Sequence, residues 1–256
     1  MIVLDSGLGG ISVVRALRHA HPSVPCTYVA DTAGFPYGAR SVEAMNARAH
    51  ALVHALLTHE PASPIVLACN TLSTLCLEPL RVAFSVPFVG TVPAIKTAAH
   101  HSTSRRFTLL ATPNTANSSY SRDLIAQFAS TCVVDRYGAP NLAAMAEAMM
   151  LGDTLRDDAL FGELAPAFMD DARGRTDSIV LGCTHYPLIR EALMRVAPWP
   201  VTWIDSSEAI AKRALSLPDT PPTQSIAYVT AESDVARYRD VFMREGFADV
   251  KALPLF

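Results

Sequence analysis

One stretch occurs twice in this chain and sets most of what the chain can fold into. Ile65-Val66-Leu67-Ala68-Cys69-Asn70-Thr71 returns 114 positions later as Ile179-Val180-Leu181-Gly182-Cys183-Thr184-His185. Each copy is an apolar run that ends in a cysteine and continues into polar residues. Each is followed by helical periodicity, from Leu72 to Phe84 in one copy and from Leu188 to Val196 in the other. Such a run predicts a strand buried on both faces, delivering a thiol to its C-terminal end where a helix begins. Ligands of open α/β sheets sit at that edge. Two such edges facing one another would bring two thiols to one cleft.

The 256 residues can hold one large domain or two of ordinary size, and with 50% hydrophobic and 18% charged residues a sizeable core is expected. A net charge of −3 without a long basic run makes nucleic acid and anionic membranes poor partners. No segment approaches the roughly 18 continuous apolar residues of a membrane span. The start, Met1-Ile2-Val3-Leu4-Asp5, has neither the basic region nor the length of a signal peptide, so a soluble cytoplasmic protein is expected. The cysteines are 26, 69, 76, 132 and 183, an odd and scattered set without a C-x-x-C pair, which argues against disulfides and zinc ribbons. Cys26 and Cys132 read as small buried hydrophobes.

Strands and helices alternate along the whole chain. Ile2 to Leu4 leads through Asp5-Ser6-Gly7-Leu8-Gly9-Gly10 into a helix near Ser12. Cys26 to Ala30 is a strand ending on Asp31, and Phe35-Pro36-Tyr37-Gly38 is a loop with turn chemistry. Val42 to Leu57 predicts a long helix, closed off by Pro61 and Pro64 before the first cysteine strand. Val86 to Gly90, Phe107 to Ala111, Cys132 to Tyr137, Val201 to Ile204 and Ile226 to Thr230 are further strands. Helices are expected over Ala94–His101, Tyr120–Phe128, Leu142–Met150, Leu155–Met169, Glu208–Leu215 and Val235–Phe247, with Leu217–Gln224, bearing Pro218, Pro221 and Pro222, as a linker. This order predicts a parallel α/β architecture in two pseudo-equivalent lobes, with the tail after Asp205 returning to the first.

The polar turns carry the chemistry. Asp5-Ser6-Gly7 sets a carboxylate and a hydroxyl at a strand end, and the glycines around it let N–H groups meet an anion at a helix N-terminus. The plainer reading makes Asp5 a helix cap. A rival reading takes Gly7-x-Gly9-x-x-Ser12 as a dinucleotide fingerprint with Asp31 as its ribose-binding acid, although the third glycine is missing. A thiol at a helix N-terminus has its thiolate stabilised by backbone dipoles. Packing would need only apolar volume at Cys69 and Cys183, and valine or alanine would supply it. Cys183-x-His185 also fits a nucleophile–base pair, which leaves Cys69 without a role. His50 and His54 read as a helical face rather than a metal pair.

Asp5-Ser6-Gly7-Leu8-Gly9-Gly10, Pro36-Tyr37-Gly38, Cys69-Asn70-Thr71 and Gly182-Cys183-Thr184-His185-Tyr186-Pro187-Leu188 together resemble the glutamate racemases of the aspartate/glutamate racemase superfamily. The resemblance runs from about Ile2 to the helix after Asp205-Ser206. Relatives acting on aspartate carry an acidic residue where this chain has His185, which favours glutamate.

The resemblance implies two flavodoxin-like lobes with mostly parallel sheets and an active site in the cleft between them. Their boundaries would fall at 1–93 with 206–256 for the Asp5 and Cys69 lobe, and 94–205 for the Glu147, Cys183 and His185 lobe. It implies no pyridoxal phosphate or other cofactor and no metal. Cys69 would deprotonate D-glutamate and Cys183 L-glutamate, with Asp5 assisting the first thiol and His185 and Glu147 the second. For Glu147 the competing reading is an exposed helical carboxylate. Asp5, Ser6, Tyr37, Gly38, Asn70, Thr71, Thr112, Thr115, Thr184 and His185 match substrate-contacting positions. The product D-glutamate would serve peptidoglycan synthesis and so cell-wall biogenesis and cell shape. Asn114 stands where many relatives have glycine, a position asparagine can fill by adopting the left-handed conformation. The short first strand suggests a lean N-terminus or a start assigned late. The same chemistry on aspartate, or a dicarboxylate-binding protein without catalysis, are the alternatives, and a homodimer is left open.

Overall fold

The computed structural model describes residues 1–59, 63–218 and 222–253. Pro61 and Pro221 lie outside the described residues. The chain divides into two compact units, Met1–Thr91 with Ser207–Phe256, and Val92–Ser206.

The first unit opens with β1 (Ile2–Asp5), α1 (Ile11–Ala20), β2 (Thr27–Ala30), α2 (Val42–His59), β3 (Ile65–Leu67), α3 (Asn70–Ala83) and β4 (Phe88–Gly90). The second carries α4 (Ile95–His101), β5 (Arg106–Ala111), α5 (Pro113–Asn117), α6 (Ser119–Phe128), β6 (Val133–Gly138), α7 (Leu142–Met150) and α8 (Asp157–Leu164). It ends with β7 (Asp170–Asp171), β8 (Gly174–Arg175), β9 (Ser178–Gly182), α9 (Arg190–Val196) and β10 (Thr202–Ile204). The chain then returns to the first unit with α10 (Ser207–Leu215), β11 (Ile226–Val229), α11 (Val235–Arg244) and β12 (Asp249–Ala252).

In the first unit the sheet order is β12-β11-β2-β1-β3-β4, every pairing parallel. The central strands are buried along their whole length because helices cover both faces. Ile2, Leu4, Ile65 and Leu67 pack with Leu52 and Val53 of α2 and with Leu72, Cys76 and Leu80 of α3. A fully buried leucine or isoleucine contributes about 1.5–3 kcal/mol relative to exposure, so these short strands are held by their faces as well as by their ladders. In the second unit the order is β10-β9-β5-β6, again parallel, with a separate antiparallel pair of β7 and β8.

Three expectations are corrected, and one strand is added. The helix expected over Leu155–Met169 is only α8, ended by a 3-10 turn at Ala165–Ala167 that contains Pro166 and followed by the β7–β8 hairpin. The helix expected from Leu188 begins as a 3-10 turn, Tyr186–Ile189, and becomes α-helical only at Arg190. β12 had no counterpart in the sequence reading. Cys26 is buried as expected, whereas Cys132 is only half-buried.

The β7–β8 hairpin is tied down by Arg106, whose side chain is fully buried. Its guanidinium donates to Asp135 on β6 at 2.8 Å, to Asp171 at 2.7 and 3.2 Å, and to the Gly174 carbonyl at 2.7 Å. Arg106→Met should cost about 2 kcal/mol in urea denaturation at pH 7, less than a fully buried pair because Asp135 and Asp171 still reach water. Hydrogen bonds from Arg173 and Arg106 hold the Asp171 carboxyl well below the usual range. A depressed carboxyl contributes stability above its unfolded pKa of about 3.9 and loses it as pH falls towards the folded value. The deficit of Arg106→Met should therefore shrink between about pH 4 and pH 2.

Candidate active site

The first unit collects its polar turns at the C-terminal ends of β1, β2 and β3. Register places Leu4 beside Leu67, and the Ala68 N–H donates to the Leu4 carbonyl at 2.8 Å. Asp5 therefore lies level with Ala68, one residue before Cys69. Asp5 is fully buried and accepts the Gly7 N–H on Oδ1 at 2.8 Å. It is not the cap of α1, whose N-cap is Gly10. The Tyr28 hydroxyl donates to the Gly7 carbonyl at 2.7 Å and fixes the turn from behind. At Gly10 a β-carbon would come within 2.8 Å of that hydroxyl and 3.0 Å of the Ala68 β-carbon, so only glycine lets α1 start this close to the sheet.

Cys69 is the N-cap of α3, with extended backbone, and its carbonyl accepts the Ser73 N–H at 2.9 Å. Its thiol, 6% exposed, sits where the partial positive charge of a 14-residue helix favours a thiolate. Asn70 and Thr71 occupy the first helical positions and are buried. The Asn70 amide Nδ2 is buried with no protein partner, a donor suited to a carboxylate oxygen. Ser6 is buried and Gly38 half-buried. Tyr37 packs in the same buried cluster as Cys69. Burial and the Asp31 charge push the Tyr37 phenol well above its ordinary range, with the Cys69 charge adding to this. Cys76, two turns along α3, differs: burial pushes its thiol up to about 12, as expected of a core residue.

The second unit repeats the edge. Ala111 at the end of β5 pairs with Gly182 at the end of β9, so Thr112 and Cys183 each follow one residue beyond the same rung. Thr112 caps α5: its hydroxyl accepts the Thr115 N–H at 3.4 Å and donates to Thr115 Oγ1 at 3.2 Å. Asn114 is helical within α5 and needs no left-handed conformation. Thr184 is buried. Cys183 lacks the α-helical N-terminus expected for it, since a 3-10 turn follows. Its support is a side chain.

That side chain is His185. Cys183 Sγ lies 3.8 Å from His185 Nδ1, and His185 Nε2 lies 2.8 Å from Glu147 Oε2 on α7. All three are buried, with Glu147 only 3% exposed, so its reading as an exposed helical carboxylate is excluded. Burial works against the imidazolium, but hydrogen bonds to Cys183 and Glu147 and their negative charges outweigh it, raising the His185 pKa well above its ordinary value. The result is a buried Glu147–His185–Cys183 chain in which the imidazole between the carboxyl group and the sulfur is favoured in its protonated form. Tyr186, which the sequence places in the Gly182–Leu188 string without a role of its own, is fully buried against Cys183, and its hydroxyl has no protein partner.

The dinucleotide reading loses its basis. Asp31 cannot serve a nucleotide ribose, because it is fully buried with both carboxylate oxygens engaged by Arg48, Tyr37 and Thr230. His50 packs on Phe84 with ring centroids 4.8 Å apart, and among the described residues no cluster of three or more His, Cys, Asp or Glu could hold a metal ion.

Two parallel α/β units, each ending a central strand on a buried cysteine, define a class. The model of the Asp/Glu/hydantoin racemase family matches residues 11–214, and the chain belongs to that family. The glutamate racemase of Brucella canis is 48% identical over 218 residues, covering 85% of this chain and 79% of the relative. That of Sinorhizobium medicae is 47% identical over 222 residues, covering 86% and 82%. Among solved structures, Escherichia coli glutamate racemase in complex with L-glutamate and the activator UDP-MurNAc-Ala is 37% identical. It matches over 99% of this chain and 98% of that one, with a TM-score of 0.92. Glutamate racemase from Thermus thermophilus in complex with beta-chloro-D-alanine gives a TM-score of 0.77 at 28% identity, over 99% of this chain and 96% of that one.

Proposed function

We propose that this chain is a glutamate racemase that interconverts L- and D-glutamate by a two-base, cofactor-independent reaction. The observation that carries the reading is the buried Glu147–His185–Cys183 chain at the end of β9, matched by Cys69 at the end of β3. Inverting a stereocentre by proton exchange needs a base on one face of the α-carbon and an acid on the other. The Cys183 thiolate takes the α-proton of L-glutamate, forming S–H as C–H breaks. The Cys69 thiol returns a proton to the opposite face, its S–H breaking as the new C–H forms. D-glutamate runs the same steps in reverse, and the enzyme ends each turnover with the two protonation states exchanged.

The surrounding groups suit a dicarboxylic amino acid. Asn70 Nδ2 offers a buried donor, Ser6, Thr71, Thr112, Thr115 and Thr184 offer hydroxyls, and the Tyr37–Gly38 turn adds backbone N–H groups. Asp5 assists Cys69 as His185 and Glu147 assist Cys183. No described helix is long and apolar enough to cross a membrane, which is compatible with a cytoplasmic enzyme supplying D-glutamate for peptidoglycan. Sedimentation would distinguish a monomer from a homodimer, an arrangement this reading accommodates.

The test is incubation of either enantiomer in D2O without added cofactor. Loss of optical rotation with deuterium at the α-carbon of the product is expected, with glutamate turned over far faster than aspartate. Unchanged rotation and no exchange would sink the reading, and faster turnover of aspartate would replace the substrate.

A further inference from the structure

Asp31 has no part in the reaction as described, yet it is a heavily engaged carboxylate. It ends β2 and is fully buried. It accepts hydrogen bonds from the Tyr37 hydroxyl, from Nε and Nη2 of Arg48 on α2, and from Thr230 Oγ1, just beyond β11, at 2.6 Å. Its backbone N–H donates to the Asp5 carbonyl at 2.9 Å, and its carbonyl accepts the Gly34 N–H at 2.9 Å. A carboxylate this deep is tolerated only when paired and fully hydrogen-bonded, and here both conditions are met.

The neighbours are arranged around that group. A β-carbon at Gly34 would come within 2.5 Å of Arg48 Nε and 2.8 Å of the Tyr37 ring, and would strike Asp31 Oδ2 as well. Arg40 closes the far side of the loop, donating to the Gly34 carbonyl at 2.6 Å. The Tyr37 hydroxyl, donating its hydrogen bond to Asp31, is thereby aimed at the interior of its own unit. What Tyr37 brings to the Cys69 half-site is its ring and the backbone it shares with Gly38.

We propose that Asp31 is a positioning residue that acts through Tyr37 and Arg48, holding the Pro36–Tyr37–Gly38 turn against the Cys69 half-site so that the turn can receive a substrate carboxylate. The proposal rests on the glutamate racemase reading. It assigns Asp31 no contact with substrate and no proton transfer.

Asp31→Asn, Tyr37→Phe and the double variant test it, with wild type in the same assay. Each single variant should lower kcat/KM for glutamate by between about tenfold and a hundredfold, carried mainly by a rise in KM, as expected when a binding group is misplaced. The double variant should be no worse than Asp31→Asn alone, because Tyr37→Phe removes only a contact that Asp31→Asn already disturbs. A loss confined to kcat, which is what a smaller folded fraction gives, overturns the proposal, as do unchanged kinetics or losses that multiply. Should Asp31→Asn fail to fold, Tyr37→Phe alone decides: a raised KM at an unchanged Tm supports the clamp, and an unchanged KM overturns it. Absence of wild-type turnover is a separate result that strikes the racemase reading itself.

Discussion

Cys69→Ser and Cys183→Ser should each lower kcat for racemisation by at least about 10³-fold, equivalent to roughly 4 kcal/mol of transition-state stabilisation. A serine hydroxyl lacks the acidity of a thiol, and in the proposed mechanism a thiolate removes the α-proton. The double variant should be no worse than either single one, because one missing base already stops the exchange. Glutamate should still bind, since neither substitution removes a carboxylate-binding group. The measurements are circular dichroism for turnover and thermal shift for binding. Retention of more than a tenth of wild-type kcat in either variant would rule out a two-thiol mechanism.

The second large effect is expected at the Cys183 relay. His185→Asn and Glu147→Gln should reduce kcat/KM by about 10²-fold, within the range for a general acid–base partner. Enantiomers have equal free energy, so the loss in kcat/KM must be the same in both directions. The asymmetry between the thiols shows instead in α-deuterium isotope effects. With L-glutamate, from which Cys183 abstracts the proton in the proposed mechanism, the effect should rise, because that step is slowed. With D-glutamate, where the proposed mechanism has Cys183 reprotonate, it should fall. Equal changes in both directions would mean that His185 does not act on Cys183 selectively.

pH dependence follows from the same chain. The His185 pKa is raised, so its imidazolium contributes stability that is fully present below about pH 6.5 and lost as pH rises through the folded value. Glu147→Gln removes one of the two negative partners and lowers the folded pKa. The alkaline loss of Tm should then begin at lower pH than in the wild type. A variant profile that coincides with the wild type would show that Glu147 does not hold the charge on His185.

Much of this was legible in the sequence because parallel strands buried on both faces read as continuous apolar runs. Ile65–Leu67 and Ser178–Gly182 were visible for that reason. β12 was not, since Asp249-Val250-Lys251-Ala252 lies at the edge of the sheet and buries only Val250. The β7–β8 hairpin was hidden for a similar reason: its strands are polar, and its anchor Arg106 is 65 residues away from Asp171. The paired cysteines stood out, but the difference between their surroundings did not. Sequence periodicity cannot tell a 3-10 turn from the first turn of an α-helix, and Pro187 fits either. Glu147 was reached only through family resemblance, because nothing local links it to a histidine 38 residues on. Asp31 was singled out for a ribose and belongs to Arg48 and Tyr37, a distinction that only tertiary contact makes.

The position of β11 has a consequence for how the chain matures. β11 pairs with β2 across about 199 residues, the separation of the Thr230–Asp31 hydrogen bond, and all of Val92–Ser206 is synthesised in between. Long-range parallel pairing of this kind is slow to form. During synthesis Cys69 and Cys183 emerge well before Thr230 and before Phe242, whose ring packs 5.0 Å from that of Tyr28 behind the Asp5 turn. The strands that carry the thiols can therefore be in place while the Asp31 cluster and the Asp5 turn still lack these late partners. A nascent chain thus holds its reactive groups before it holds the surroundings that direct them, and competence arrives with the last strands.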